Sequence, residues 1–354
     1  MIIEGRNFEV TKTALSEDLK YIADYNDLPY EEMGNSTVLV TGATGLIGVS
    51  LVRALLAIGK IHVIAFVRNI EKTKKIYAEA MNSNLEFIVG DITSKIQINK
   101  SIDYIIHCAS VTTSKIMVDS PVETLFTAID GTRNVLELAK DKRVRSVVYV
   151  SSMEMYGSFE SNVHDITEKD LGFIDPLKVR SNYPESKRLC ENMCVAYLSE
   201  YDVPVKIARL AQTFGAGILP GENRVFAQFA RSVITQKDIV LHTKGQSEGN
   251  YCYIRDCVIG LLTILLKGKD GEAYNVSNPA SHTTIAEMAK MVCEKIADGK
   301  IKVVFDIPES NTFGYAADTK MRLNSDKLQG LGWKPEINLE ESYRRMIRDM
   351  KTDQ

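Results

Sequence analysis

The sequence predicts an α/β fold: a parallel sheet wound with helices on both faces, followed by a smaller C-terminal lobe. Three observations predict it. Short β-branched runs alternate with helical stretches from residue 37 to residue 152, the rhythm of crossovers between parallel strands. The runs are almost continuously apolar, as strands are when both faces of their sheet are covered. A glycine-rich turn separates the first run from the first helix.

The elements follow in order. Residues 1–35 form a helical extension, with Ser16, Glu17 and Asp18 reading as a helix start and Leu15, Leu19 and Ile22 at helical spacing. It is expected to pack on the body or on a second subunit and to carry no chemistry. The first strand is TVLVTG (37–42), and LVRALLAIG (51–59) is a helix stopped by Gly59. Strands IHVIAFV (61–67), LEFIVGD (85–91) and DYIIHCAS (103–110) come next, then a helix GTRNVLELAK (131–140) and a strand SVVYVSS (146–152). A helix from Pro184 to Glu200 leads to the strand KIARLA (206–211). The domain reading is therefore an extension at 1–35, a dinucleotide-binding domain at 36–212, and a mainly substrate-binding lobe at 213–354 that sends some segments back to the sheet.

Bulk properties narrow the function. A chain of 354 residues suits two lobes. Its 43 basic and 46 acidic residues are well mixed, with a net charge of −3, which argues against a nucleic-acid partner. The longest apolar stretch, Val258 to Leu266, is far short of the roughly 20 residues of a membrane span. MIIEGRNFEV lacks the layout of a signal peptide. A cytoplasmic protein with no membrane partner is expected. Six cysteines form no C-x-x-C pair and five histidines no cluster, so no metal site is expected. Cys190 and Cys194 read as small buried residues in a reducing compartment.

Gly42, Gly45 and Gly48 lie in Thr41-Gly42-Ala43-Thr44-Gly45-Leu46-Ile47-Gly48. Glycine permits a tight turn and close approach of backbone to a pyrophosphate, which the free N–H groups and positive end of the next helix then bind. Between a strand and a helix at the start of a wound sheet, this is the dinucleotide signature of a Rossmann-type domain. Thr44, Leu46 and Ile47 belong to the same cradle. Arg68 stands 20 residues after Gly48, where a carboxylate would bind the ribose hydroxyls of NAD. A guanidinium there, with Lys72, Lys74 and Lys75 nearby, suits a 2′-phosphate. NADP(H) is therefore favoured and NAD(H) stays open. Asp91, Ile92 and Ala109, at the ends of later strands, complete the candidate cofactor set.

Tyr183-Pro184-Glu185-Ser186-Lys187 opens a helix with Tyr183 and Lys187 one turn apart. A phenol of ordinary pKa near 10 is a poor acid–base at neutral pH. A neighbouring ammonium favours the phenolate and is expected to bring it toward the working range. Lys187 can also hold the nicotinamide ribose. Ser152 ends a strand, where ligands of wound sheets sit, and its hydroxyl can polarise a carbonyl or alcohol.

The stretches TGATGLIG, SSMEMYG and YPESK resemble those of the extended short-chain dehydrogenase/reductases, the nucleotide-sugar epimerase/dehydratase family. RLAQTFGAG (209–217), YCYIRD (251–256), GEAYNVSN (271–278) and LGWKP (331–335) extend the likeness over residues 37–345. The resemblance implies a nicotinamide cofactor, with Tyr183 as acid–base, Lys187 as its support and Ser152 as polariser. It also implies a nucleotide-linked sugar in the C-terminal lobe and a homodimer. Thr112, Met153, Gln212, Arg224 and Tyr253 are the candidate substrate residues.

Departures from the family pattern bear on the reaction. Family dehydratases and decarboxylases use a glutamate at the position of Glu154 for proton transfer. Dehydratases tend to carry an aspartate just before it, and Met153 there cannot donate a proton. The context of Arg68 resembles NADPH-using reductases. Gly249 replaces an arginine that grips the substrate diphosphate, leaving Arg224, Arg231, Lys244 or Arg255 for that task. Ala128 replaces an asparagine before the helix at Gly131, weakening a backbone contact near the cofactor. Gln212 replaces an asparagine with the same amide on a longer arm. SSMEMYG, GNYCYIRD and GEAYNVSN together resemble a branch of bacterial surface-polysaccharide enzymes, where nucleotide-linked ketoses are reduced to alditols.

The expectation is an NAD(P)H-dependent oxidoreductase that reduces a carbonyl of a nucleotide-activated sugar or polyol in polysaccharide precursor synthesis. The alternative is a redox-neutral epimerase, 4,6-dehydratase or decarboxylase with resident NAD and Glu154 as an additional catalytic group. A non-catalytic redox sensor is disfavoured because Ser152, Tyr183 and Lys187 are all present.

Overall fold

The structure is a computed structural model that describes residues 13–159, 165–219, 221–308 and 319–352. The first twelve residues of the N-terminal extension lie outside the described residues.

Helix α1 (Ala14–Ala23) begins the described chain. Its cap is Thr13, whose side chain accepts from the Ser16 amide, rather than Ser16 itself. Thr13 has extended backbone angles and so can offer its oxygen to the first turn. Ser16, already inside the helix, donates its hydroxyl back to the Thr13 carbonyl.

Strands and helices then alternate: β1 (Thr37–Thr41), α2 (Leu46–Ile58), β2 (His62–Val67), α3 (Ile70–Ile76), β3 (Leu85–Val89), β4 (Tyr104–His107), α4 (Ser114–Asp119), α5 (Pro121–Lys142), β5 (Ser146–Ser152), α6 (Asn182–Tyr201) and β6 (Val205–Leu210). Helix α5 starts ten residues ahead of the sequence reading, because Pro121 at the first helical position supplies the fixed φ and lacks only an N–H that would have no partner. Ala128 therefore lies inside a helix rather than before one. Its carbonyl accepts the Cys190 thiol of α6 at 3.3 Å.

The remainder comprises β7 (Gln212–Phe214), α7 (Val225–Thr235), β8 (Ile239–Leu241), β9 (Glu248–Tyr253), α8 (Ile254–Lys267), β10 (Ala273–Val276), β11 (Asn278–Thr284), α9 (Ile285–Met291), β12 (Val303–Phe305), α10 (Asp326–Gln329) and α11 (Leu339–Thr352).

The main sheet has seven parallel strands in the order β10-β6-β5-β4-β1-β2-β3. It is a Rossmann-like sheet. The strand order reverses between β1 and β4, which run parallel, and the crevice at such a switch point receives the ligand. β10 returns from the C-terminal part to pair with β6. The smaller lobe holds a three-stranded sheet, β11-β9-β7, and the pair β12-β8. Its core centres on Phe214, which stacks on Phe226 at 4.7 Å and meets Tyr251 edge-on at 5.9 Å. β7 follows β6 after one residue, so the two sheets share a continuous piece of chain.

Candidate functional site

The glycine turn closes tightly over β4. Gly42 has a φ of 65°, and a Cβ there would stand 2.7 Å from the Ala109 nitrogen. A Cβ on Gly48 would stand 2.3 Å from the Gly42 carbonyl oxygen. Both obstacles are backbone, so only glycine brings turn and helix this close. Thr41 braces the turn: its hydroxyl bonds His107 Nδ1 at 2.7 Å and accepts from the Ala109 amide. Burial, with the charge of Lys187 acting the same way, pushes the His107 imidazole down to about 3, so it is neutral. Helix α2 starts at Leu46 with no side-chain cap, leaving its first N–H groups facing the turn. This cradle fits a dinucleotide pyrophosphate on steric and electrostatic grounds.

A cavity of about 780 Å³ opens from this turn and runs across the ends of the strands into the smaller lobe. Its wall includes Gly42, Thr44, Gly45, Leu46, Ile47 and Gly48, then Arg68, Ile92 and Ala109. Further along it includes Thr112, Ser152, Met153, Glu154, Tyr183 and Lys187, and finally Gln212, Arg224 and Gly249. The fold thus brings together residues from five strand ends and both lobes.

Two predicted residues are elsewhere. The Asp91 carboxylate accepts from the Thr93 amide at 2.9 Å and the Thr93 hydroxyl at 2.8 Å, closing a turn off the cavity wall. Those bonds hold its carboxyl below the usual range. Tyr253 is buried at 1% exposure and donates its hydroxyl to Asp18 of α1 at 2.5 Å. Tyr253 is the last residue of β9, where the chain turns into α8; Tyr251, on the same strand face two residues earlier, is the one on the cavity wall.

The groups left to replace the missing arginine at Gly249 also separate. Arg255 is buried between Asp256 and Glu336. Arg231 donates to the Glu222 carbonyl at 2.6 Å. Lys244 lines a different depression. Arg224 alone of the four reaches the cavity wall, and it arrives paired with Glu222 through bonds of 3.0 and 2.6 Å.

Ser152 is the last residue of β5, and Tyr183 and Lys187 project from the first turns of α6. Lys187 Nζ donates to the Val150 carbonyl at 2.9 Å and lies 5.7 Å from the Tyr183 ring centre. Burial lowers the Lys187 ammonium below its ordinary value. The Tyr183 phenol is pushed up to about 12, first by burial and then by the Glu154 charge. A hydrogen bond from Ser152 and the charges of Arg180 and Arg224 act in the opposite direction. Desolvation thus works against the shift toward neutrality expected from a neighbouring ammonium.

Sequence reasoning missed several residues. Arg180 donates from Nη2 to Glu154 Oε2 at 2.9 Å. Its only sequence signal is its place three residues before Tyr183. Glu191, one helical turn after Lys187, accepts the Ser151 hydroxyl at 2.6 Å and two nitrogens of Arg209. Its i+4 spacing from Lys187 was a readable sign that it shares the inward face. All six cysteines are unpaired thiols, five of them buried. Among the described residues no group of three or more His, Cys, Asp or Glu could hold a metal, and no helix is long and apolar enough to cross a membrane.

Comparison with known proteins agrees with this architecture. UDP-glucuronic acid decarboxylase 6 of Arabidopsis thaliana is 30% identical over 322 residues, covering 90% of this chain and 89% of the relative. UDP-glucuronic acid decarboxylase 1 of Xenopus tropicalis is 29% identical over 321 residues, covering 89% and 72%. In fold, the chain superposes on the UDP-glucose 4-epimerase of Thermotoga maritima, solved with UDP-glucose, with a TM-score of 0.75 at 23% identity, covering 90% of this chain and 99% of that one. The UDP-glucuronic acid 4-epimerase of Bacillus cereus, solved with UDP-glucuronic acid and NAD, gives 0.73 at 22%, covering 90% and 100%. The model of the NAD dependent epimerase/dehydratase family matches residues 38–277, from β1 to the end of β10. The chain is an enzyme of the NAD dependent epimerase/dehydratase family.

Proposed function

We propose that this enzyme acts on a nucleotide-linked sugar by redox-neutral chemistry: one sugar hydroxyl is oxidised, the neighbouring carbon is altered, and the ketone is reduced back. The observation that carries this reading is Glu154, which shares the cavity wall with Ser152 and Tyr183. Simple carbonyl reduction needs one proton donor at the reacting oxygen, a task Tyr183 fills. A second acid–base group beside it suits a reaction with a further proton transfer or bond cleavage. The relatives named as UDP-glucuronic acid decarboxylases support the same reading and suggest a nucleotide-linked hexuronic acid. This replaces the sequence-based preference for net reduction.

The residues have distinct tasks in this scheme. Tyr183 takes the proton of the sugar hydroxyl while Ser152 hydrogen-bonds its oxygen. Lys187 steadies the phenolate and orients the ribose. Glu154 handles the proton at the neighbouring carbon. When bound, the dinucleotide supplies the hydride acceptor and donor, and its oxidised ring adds a positive charge that favours the phenolate. Backbone groups from Gly42 to Gly48 hold its pyrophosphate.

One observation favours a second reading. Arg68 and Lys72 both line the cavity beyond the end of β2, where cations suit a 2′-phosphate. A reductase drawing on a diffusing NADPH pool would use them, and NADP(H) remains the favoured cofactor on this feature. The test is to release and identify any nucleotide from the purified protein, then to supply nucleotide sugars, UDP-glucuronic acid included, with and without added NADPH. Retained dinucleotide and turnover without net NAD(P)H consumption support the first reading. One NADPH consumed per product, with the preference lost in Arg68→Ala, overturns it.

A homodimer is part of the proposal. Exposed Val122 and Phe126 on α5 and Leu189 on α6 leave an apolar surface on two helices that pack together. Sedimentation equilibrium at micromolar protein tests it, and a monomer would refute it.

A further inference from the structure

Glu154 and Arg180 come from two short turns that the tertiary fold pins in place. Glu154 sits in the 3-10 turn Met153–Tyr156 that follows Ser152, and its amide donates to the Ser152 hydroxyl at 3.2 Å. Arg188 clamps that turn by donating to the Met155 and Tyr156 carbonyls. Arg180 sits in the 3-10 turn Val179–Ser181 that runs straight into α6. This turn is anchored by Ser181, which donates to the Asp175 carbonyl at 2.6 Å, and by Asn182, which donates to the Met117 carbonyl at 2.5 Å. The geometry of the ion pair is therefore set by anchored backbone at both ends.

Four charged groups face the Tyr183 phenol: Glu154, Arg180, Arg224 and Lys187. Arg224 is already bound through two bonds to Glu222. Lys187 is one turn along the same helix and directs Nζ to the Val150 carbonyl. Arg180 is bonded to the one anion of the set, and its guanidinium carbon lies 5.8 Å from the Tyr183 ring centre. It touches both groups on which the proposed chemistry depends, yet it does not line the cavity.

We propose that Arg180 is a positioning residue, which fixes the Glu154 carboxylate beside Tyr183 and balances the negative charge that Glu154 presents to the phenol. The inference rests on Tyr183 as the acid–base of the reading above. It does not depend on whether the reaction is redox-neutral. Burial and the Glu154 charge both raise the phenol, while Arg180 lowers it. Losing Arg180 leaves the Glu154 charge unbalanced and disfavours the phenolate. Losing Glu154 does the reverse.

The experiment titrates Tyr183 in the dinucleotide-bound protein by NMR of ring-13C tyrosine, with the signal assigned by its absence in Tyr183→Phe. The pH profile of kcat is recorded in parallel. In Arg180→Met the phenol titration should move up by about 0.5–1 pH unit, the scale for one partly exposed charge at this range. Glu154→Gln should move it down, the double variant should return it near the parent value, and Arg180→Lys should restore most of the effect. Arg180 is about a third exposed on a surface turn, so folding should survive; Arg180→Gln is the second variant if it does not. An unchanged titration in Arg180→Met, or a double variant no different from Arg180→Met, overturns the proposal. A shifted titration with no turnover of any nucleotide sugar would leave it standing while removing the functional reading.

Discussion

Replacing Arg209 with methionine should remove the cation from a network sealed behind the strand that carries Ser152. Arg209 Nε donates to Glu191 Oε1 at 3.1 Å and Nη2 donates to Oε2 at 2.7 Å. Nη1 donates to the Tyr156 hydroxyl at 3.0 Å and the Glu168 carbonyl at 2.9 Å. The two side chains of the pair are 9% and 8% exposed. Without the guanidinium, Glu191 keeps only the Ser151 hydroxyl at 2.6 Å, one neutral donor for a buried carboxylate. Breaking a buried pair from one side costs about 3–5 kcal/mol, because a charge stays behind without its partner. Urea unfolding of the two proteins, compared at equal slope, measures this difference. The double variant Glu191→Leu/Arg209→Met removes both charges, and Tyr156 keeps its bond to Asn275 at 2.7 Å. It should recover most of the loss, leaving it within about 1–2 kcal/mol of the parent. A single variant less than about 1 kcal/mol below the parent, or a double variant as costly as the two singles added, would refute the reasoning.

Other perturbations have equally direct outcomes. Gly48→Ala drives a Cβ to 2.3 Å from the Gly42 carbonyl and 2.8 Å from the Ala43 Cα, so the turn must open. Dinucleotide affinity, read by equilibrium dialysis, should fall by about 10-fold or more, the scale of 1–3 kcal/mol for overpacking, and an unchanged Kd would contradict the steric argument. Tyr183→Phe should lower kcat by about 10²–10⁴-fold while dinucleotide binding persists; substantial residual turnover would exclude Tyr183 as the proton carrier. Asp18 is buried against Tyr253 and Arg345, and burial raises its carboxyl to about 6. The folded chain therefore binds this proton more tightly than the unfolded one. The stability it contributes is full below the unfolded pKa near 4 and is lost as pH rises through about 6, an effect of about 3 kcal/mol. Asp18→Asn should flatten that decline in denaturation midpoints measured across the window, and an unaltered slope would assign it to another group.

Much of the architecture was legible in the sequence because it depends on short-range physics. Apolar strands separated by helical stretches specify a wound parallel sheet, and β5 spans Ser146–Ser152 as its pattern indicates. Boundaries were less legible. Helix α5 begins at Pro121 rather than near Gly131, since its first turns carry a half-exposed face whose pattern is weak. Tyr253 could not be placed from Y-I-R-D alone, because β9 ends at this residue and its hydroxyl meets Asp18 of α1, a partner 235 residues away in sequence. Asp91 shows that a carboxylate at a strand end serves its own turn, accepting from Thr93, a partner its position as a ligand candidate did not reveal.

By itself the sequence determined the elements whose cause is local. Backbone sterics demand the glycines at 42 and 48, and helical periodicity brings Tyr183 and Lys187 to one face. Tertiary structure decided which charges are available and how acidic each group is. Arg180 meets Glu154 across 26 residues, Arg209 meets Glu191 across 18, and Tyr253 meets Asp18 across 235. Arg255 and Arg224, equal candidates on paper, part ways because one is buried between carboxylates and the other reaches the cavity wall. The reason is physical: a backbone turn is set by its nearest neighbours, but the energy of a charge is set by burial and by partners that only folding brings within reach.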